Sequence, residues 1–406
     1  MRLAGGARGC AAVPSGASTG RHEARELRDG GSRYGGRGVL QAVAAVNDVL
    51  GPGVTGLDPT DGRSLDDALV ALDGTADLGR LGANAVLAVS IAAALAAANG
   101  HGLALYETLG TNPLLPMPMV NVISGGAHAR GAGVDVQDFL VVPVGATSFG
   151  EALEWCWRVR REAEDLAAER GFPARLVADE GGLGLPLPSN RDGLDFLARA
   201  IERAGFVLGE QASMAVDVAA TQLAVDGRYR LATEGRTLDS GELLSELDAW
   251  CSAHPVVSLE DPLAEDDWDG WAEATRCLGS RVQLLGDDIF VTQVDRLEQG
   301  IRTGVANAIL VKPNQCGTLT GAAAAVTRAH TAGYATVVSA RSGDTEDAWL
   351  ADLAVGWRAG QIKVGSTTRS ERTAKWNRLL HIEVELGDAA RFAGRDALAP
   401  EPRIGW

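Results

Sequence analysis

Lysine is almost missing from this 406-residue chain: of its 37 basic residues 34 are arginine and three are lysine, Lys312, Lys363 and Lys375. A GC-rich coding bias produces that pattern together with the high Ala and Gly content, so what matters is which lysines survived. Arginine replaces lysine as a surface charge but cannot lose its proton near neutral pH, so chemistry that needs a tunable amine must keep lysine. Excess positive charge is missing too. Fifty-three acidic residues give a net charge of −16, which argues against nucleic acid or an anionic membrane surface as partner. The five cysteines are scattered, with no CxxC or Cys/His ligand spacing, which excludes a disulfide framework and reads as reduced thiols in the cytoplasm. The longest apolar run, 85–98, is about 14 residues, short of the roughly 18 to 20 that span a bilayer; it is expected to be a buried helix. The first ten residues, MRLAGGARGC, lack the apolar core of a secretory signal. With 46% hydrophobic residues the composition is globular, which excludes disorder and collagen-like structure.

Two patterns divide the chain. Residues 1–112 alternate a Gly/Ser loop (14–20) with helical segments at 38–50, 64–72 and 83–99, and read as a small α+β domain. After the Pro/Asn-rich linker TNPLLPMP, residues 113–406 show short apolar runs, each followed by a polar residue and a helical stretch. The runs are 139–144, 175–179, 214–217, 256–260, 282–287, 308–312, 336–341 and 360–365. From the third onward their spacing, roughly 22 to 43 residues, is that of βα units in an eight-fold barrel.

Polar residues end these runs: Asp217, Glu260, Asp287, Lys312, Arg341 and Lys363. In a parallel barrel the carboxyl ends of the strands meet at one mouth, which would set three carboxylates against two lysines and an arginine. Three carboxylates suit a hard divalent cation such as Mg2+ that keeps sites open for substrate oxygens. A single Asp or Glu there could equally cap the next helix; six together are harder to explain that way. A carboxylate substrate on the metal, with a lysine nearby, points to proton abstraction α to that carboxylate. The neighbouring Lys or Arg341 would lower the pKa of the basic lysine. Lys375, within SERTAKWNRLL, reads as a structural helix residue.

The segments AAVPSGASTGRHEARELRDG, MVNVISGGAH, VQDF, ADEGG, MAVDVAA, SLEDPL, LLGDDIFVT, LVKPNQCGTLT, SARSGDTEDAWLADLAVG and GQIKVGSTTRSERTAKWNRLLHIEVELG resemble the enolase family, in order from about residue 3 to about 388. The resemblance implies a TIM-type barrel with a ββαα start and interconversion of 2-phosphoglycerate and phosphoenolpyruvate. Two Mg2+ ions are implied, the first on Asp217, Glu260 and Asp287. Lys312 would be the base at C2 and Lys363 the partner of the substrate carboxylate. Arg341 and Ser342 would grip the phosphate, and Ser18 would help hold the second Mg2+. Glu180 would protonate the leaving hydroxyl, supported by His128 and Asp138, and Gln137 would contact the substrate. A homodimer or larger homo-oligomer is implied as well.

Three positions depart from the family pattern. Ala340 stands where the family has a histidine before the arginine, and Asp138 stands where it has the glutamate of QEF. The chain also begins where the family already has a first strand and a loop bearing DSRGxPT. The enolate-forming half of the pattern is intact, whereas the changes fall on the side that handles the departing hydroxide, so reduced dehydration is expected. Two alternatives follow: an enzyme using the same apparatus on a phosphonate or another phosphoglycerate-like substrate, as carboxyphosphonoenolpyruvate synthases do, or a retired scaffold. Retention of both site lysines argues against the scaffold.

Overall fold

The computed structural model describes residues 1–16, 19–129, 131 and 133–399. In its amino-terminal part a helical run at Leu40–Ala45, Val46–Leu50 and Gly51–Val54 is followed by Gly62–Asp73 and by α1, Ala83–His101. Asp61 starts the second helix by accepting the Ser64 N–H, and Gly74 ends it in a left-handed conformation, as expected where only glycine escapes the Cβ clash. Extended segments here pair through isolated bridges, Arg2 with Arg8 and Ser15 with Gly343.

Helix α1 extends past both ends of the apolar run that announced it. It is long and apolar enough to cross a membrane by length and composition, yet its burial has a different cause. Val86 and Val89 join Leu50, Leu65 and Leu69 in the amino-terminal core, whereas Leu87 and Ile91 join the core around the barrel. A helix apolar on every side is what a position between two cores requires.

Eight strands close the barrel: β1 (Met117–Ser124), β2 (Asp138–Val142), β3 (Ser213–Asp217), β4 (Val256–Glu260), β5 (Gln283–Gly286), β6 (Ala308–Val311), β7 (Ala335–Ser339) and β8 (Gln361–Gly365). β8 pairs back onto β1. β2 runs antiparallel to β1 and β3, and the other pairings are parallel. Two helices, α2 (Phe149–Glu169) and Asn190–Arg203, separate β2 from β3, the ββαα start. Alternate side chains split between two cores. Met119, Leu140, Ala215, Leu285, Leu310 and Val337 fill the barrel interior, and Val120, Val141, Val216, Leu284, Ile309 and Val338 face the surrounding helices. Burial on both faces explains why these strands read as continuous apolar runs.

Two sequence expectations are corrected. The run 175–179 is not a barrel strand: it forms a turn whose Val177 makes a single bridge to Leu183. The missing strand is β1, which the prolines and asparagine of its flanking stretch concealed. Lys363 lies in the middle of β8, paired with Met119 and Ser339, rather than at a strand end. It reaches the mouth through the length of its side chain.

Candidate active site

Because β2 is reversed, its first residue lies at the mouth where the parallel strands end. The register aligns Ser124 with Asp138, Asp138 with Asp217, and Asp217 with Glu260, so four polar residues on four adjacent strands share one level. Asp287 follows β5, Lys312 follows β6, and Arg341 lies two residues past β7.

Lys363 Nζ is 2.7 Å from Asp217 Oδ2 and 2.8 and 2.7 Å from the two oxygens of Glu260. Lys312 Nζ is 2.5 Å from Asp287 Oδ2, whose other oxygen accepts from Gln315 at 2.8 Å. Gln137 donates to Asp217 at 2.9 Å and accepts from Gln222 at 2.9 Å. Burial, then the charges of Asp217 and Asp287, push Glu260 well above the usual carboxylate range despite both lysines. Two ammonium groups therefore leave three buried carboxylates under-compensated, and the oxygen donor set fits a hard divalent cation. Asp217, Glu260 and Asp287 are the residues that could hold it.

Another acidic trio is closer together: one oxygen each of Asp261, Asp287 and Asp288 lie within 4.8 Å of one another. Asp261, however, spends both oxygens on the backbone N–H groups of Asp287 and Asp288, at 2.9 and 2.8 Å. It shapes the turn that aims Asp287.

The sequence argument expected cationic neighbours to lower the Lys312 pKa, and the structure corrects this. Burial and the charges of Arg341 and Lys363 act downward, but Asp287 and Glu260 together outweigh them and hold the amine above its ordinary value. The counter-ion of Lys312 is the same carboxylate that would turn to a cation.

A second cluster joins His128, Asp138 and Glu180, whose ligand atoms lie within 4.8 Å of one another. Asp138 is fully buried. Its Oδ2 is 2.9 Å from His128 Nδ1, and its Oδ1 accepts from Ser124 at 2.9 Å and from Asn121. Burial would lower the His128 pKa, but Asp138 and Glu180 raise it to about 9. Glu180 sits in a turn pinned by Ser366 N–H to Glu180 O at 2.8 Å and by Arg160 and Thr368 on Gly181 O. Gly365, at φ +113°, lets the strand pass this turn: a Cβ there would come 2.8 Å from Glu180 O. Burial opposes ionisation of Glu180, yet His128, Arg372, Lys363 and Lys312 hold its pKa below the ordinary value. An ionised carboxylate beside an imidazolium can accept a proton or relay the one its partner holds.

At the third side Arg341 is gripped by Glu23, Nη1 to Oε2 at 2.8 Å and Nη2 to Oε1 at 3.1 Å. The loop that carries Glu23 crosses the mouth. Ser15 exchanges two 2.9 Å backbone bonds with Gly343, Ala24 N–H reaches Gln315 O at 2.8 Å, and Arg21 N–H reaches Glu265 at 2.9 Å. Ser18 lies outside the described residues. Ser342 follows Arg341, and Ala340 is buried with its N–H on Lys363 O at 2.9 Å. Away from the mouth a cavity of about 1090 Å³ lies between residues 1–11 and α1, lined by apolar side chains together with Arg2, Cys10, Asn47 and Thr55.

Glu23, Gln315, Asp261, Gln222, Asn121 and Asp344 were not singled out from the sequence. Each is an ordinary polar residue, Asn121 within β1 and the others in loops or short helical turns, and only the assembled strands show what it meets. All of them except Gln222 lie inside the segments that carry the family resemblance.

Comparison with known proteins agrees with this geometry. Residues 1–109 match the family model "Enolase, N-terminal domain" and residues 112–401 match "Enolase, C-terminal TIM barrel domain". A curated Enolase of Mycobacteroides abscessus is 54% identical over 389 residues, 95% of this chain and 89% of the relative. With both family models matched along nearly its whole length, and the barrel and its mouth built as described, this chain belongs to the enolase family.

Proposed function

We propose that the protein is a Mg2+-dependent lyase that removes water from 2-phosphoglycerate to give phosphoenolpyruvate, and runs the reverse addition. The observation that carries this reading is that Asp217, Glu260 and Asp287 gather at one barrel mouth with the ammonium groups of Lys363 and Lys312, while Asp138, on the strand next to Asp217, joins the Glu180 and His128 pair. A Mg2+ ion on those carboxylates would supply Lewis-acid stabilisation of negative charge developing on the substrate carboxylate. Were Asp287 and Glu260 to hold that cation, Lys312 would lose the two carboxylates that raise its pKa and keep Arg341 and Lys363, which lower it. It then takes the proton from C2. Lys363 stays protonated and meets the growing charge on the carboxylate. Glu180, with His128 beside it, delivers a proton to the C3 hydroxyl as it leaves. Arg341 and Ser342 bind the phosphate, and Ser18 would help hold a second Mg2+. A cytoplasmic, homo-oligomeric enzyme is part of this reading.

Ala340 favours a second reading. Without the family's histidine beside Arg341, the same proton-abstracting apparatus could serve a phosphonate or another phosphoglycerate-like carboxylate. Incubation with Mg2+ and 2-phosphoglycerate in D2O tests both. C2 exchange with matching phosphoenolpyruvate formation supports the first reading, and exchange with little product supports the second. A folded protein that shows neither overturns both for this substrate.

A further inference from the structure

Lys375 was expected to be a structural helix residue, and its surroundings assign it more. It lies on α3 (Ser370–Leu386) and is 1% exposed. Its ammonium donates to Asp344 Oδ1 at 2.6 Å, to Glu371 O at 2.8 Å and to Thr345 O. The other oxygen of Asp344 accepts the backbone N–H of Arg341 at 3.1 Å. One turn earlier on the same helix, Arg372 donates to Arg341 O at 2.6 Å and Ser342 O at 2.5 Å. The backbone of Arg341 and Ser342 is therefore fixed from behind by α3: its carbonyls by Arg372, and the Arg341 N–H by Asp344, which Lys375 holds.

We propose that Lys375 is a positioning residue for anion binding: through Asp344 it orients the Arg341–Ser342 segment toward the substrate phosphate. Three acceptors converge on one nitrogen, which a tetrahedral ammonium satisfies and a planar, longer guanidinium does not. This accounts for a lysine kept at a buried position in a chain that uses arginine almost everywhere else. All three lysines then serve one site: a base, a carboxylate partner, and the support of the phosphate grip.

The inference rests on the reading of Arg341 and Ser342 as phosphate ligands, and the test separates the two. Inorganic phosphate is measured as a competitor of 2-phosphoglycerate for the wild-type enzyme and for Lys375→Met, Lys375→Arg, Asp344→Asn and Lys375→Met/Asp344→Asn. A displaced contact costs about tenfold or more, so Lys375→Met and Asp344→Asn should each raise KM and the phosphate inhibition constant by about that factor. C2 exchange at saturating substrate should fall less than about threefold, because a lost binding contact acts mainly on KM. The double variant should be no worse than the poorer single one, and Lys375→Arg should fall between wild type and Lys375→Met. Circular dichroism identifies folded variants; if Lys375→Met does not fold, the loop substitution Asp344→Asn decides. Phosphate affinity within twofold of wild type in folded Asp344→Asn, or additive losses in the double variant, overturns the role of Lys375. Failure of inorganic phosphate to compete even in the wild-type enzyme overturns the phosphate reading, and the positioning role with it.

Discussion

Lys363 donates to both carboxylate oxygens of Glu260, at 2.8 and 2.7 Å, while also holding Asp217 at 2.7 Å. One ammonium thus stands between two buried carboxylates, and Asp287 nearby adds a third negative charge that pushes Glu260 further toward protonation. A divalent cation relieves this excess. Mg2+ should therefore raise the melting temperature: a ligand at a hundred times its Kd adds about 2.7 kcal/mol to the folded state. Chelation with EDTA should abolish C2 exchange, and Mg2+ should restore it. Glu260→Gln should fold, since it keeps the shape and removes one of the competing charges, but should show little thermal shift with Mg2+. A shift equal to that of the wild type would remove Glu260 from the metal site.

Lys312 and Lys363 differ in what holds them. Lys312 has one carboxylate partner, Asp287, and Lys363 has two. Losing one partner to a cation can therefore release the proton of Lys312 more readily than that of Lys363. Lys312→Arg should lower C2 exchange by about 10² to 10⁴, the span of a general base, because guanidinium stays charged. Lys363→Arg should raise KM as well, since its proposed partner is the substrate carboxylate. Similar exchange rates in wild type and Lys312→Arg would assign the base elsewhere.

The barrel was legible because five apolar runs lead to a charged residue at or just past a strand end, Asp217, Glu260, Asp287, Lys312 and Arg341. Strand β1 was not, because Pro118 and Asn121 interrupt a stretch that is buried at every position. The false strand at 175–179 shows the converse: an apolar run in a turn whose Leu176 is 70% exposed. Within the site the residues with unusual chemistry could be read from the chain, and their supports could not. Glu23 meets Arg341 across 318 positions and Asp344 meets Lys375 across 31. Contacts at such separation depend on which strand lies beside which, and neither composition nor periodicity carries that information.

His128 and Asp138 give a prediction with a defined sign. The folded-state pKa of His128 is raised from 6.5 to about 9, with burial opposing and Asp138 the largest upward contribution. A raised pKa means that this pair's contribution to stability is fully present below about pH 6.5 and is lost as pH rises through about 9. Urea midpoints for the wild type should fall across that window. In Asp138→Asn the carboxylate charge is gone, the His128 pKa should drop, and the decline over the same window should largely vanish. NMR titration of the His128 ring checks the cause: an unchanged midpoint in Asp138→Asn would show that Asp138 does not hold the proton.

Ala340 offers the most direct test of why this chain departs from its family. Its backbone is anchored on Lys363 O and its side chain is 5% exposed, next to the Arg341–Glu23 pair. Ala340→His adds bulk to a buried site, and overpacking of that kind typically costs about 1–3 kcal/mol, so a lower melting temperature is expected. Chemistry should move the other way. A histidine there restores the polar group that the family has beside this arginine and leaves Lys312 with its present neighbours. Phosphoenolpyruvate formation should rise more than C2 exchange in D2O, because exchange needs the base alone and product needs both half-reactions. If the two rates change in proportion, the missing histidine is not what separates them, and the shortened carboxylate of Asp138 becomes the residue to restore to glutamate.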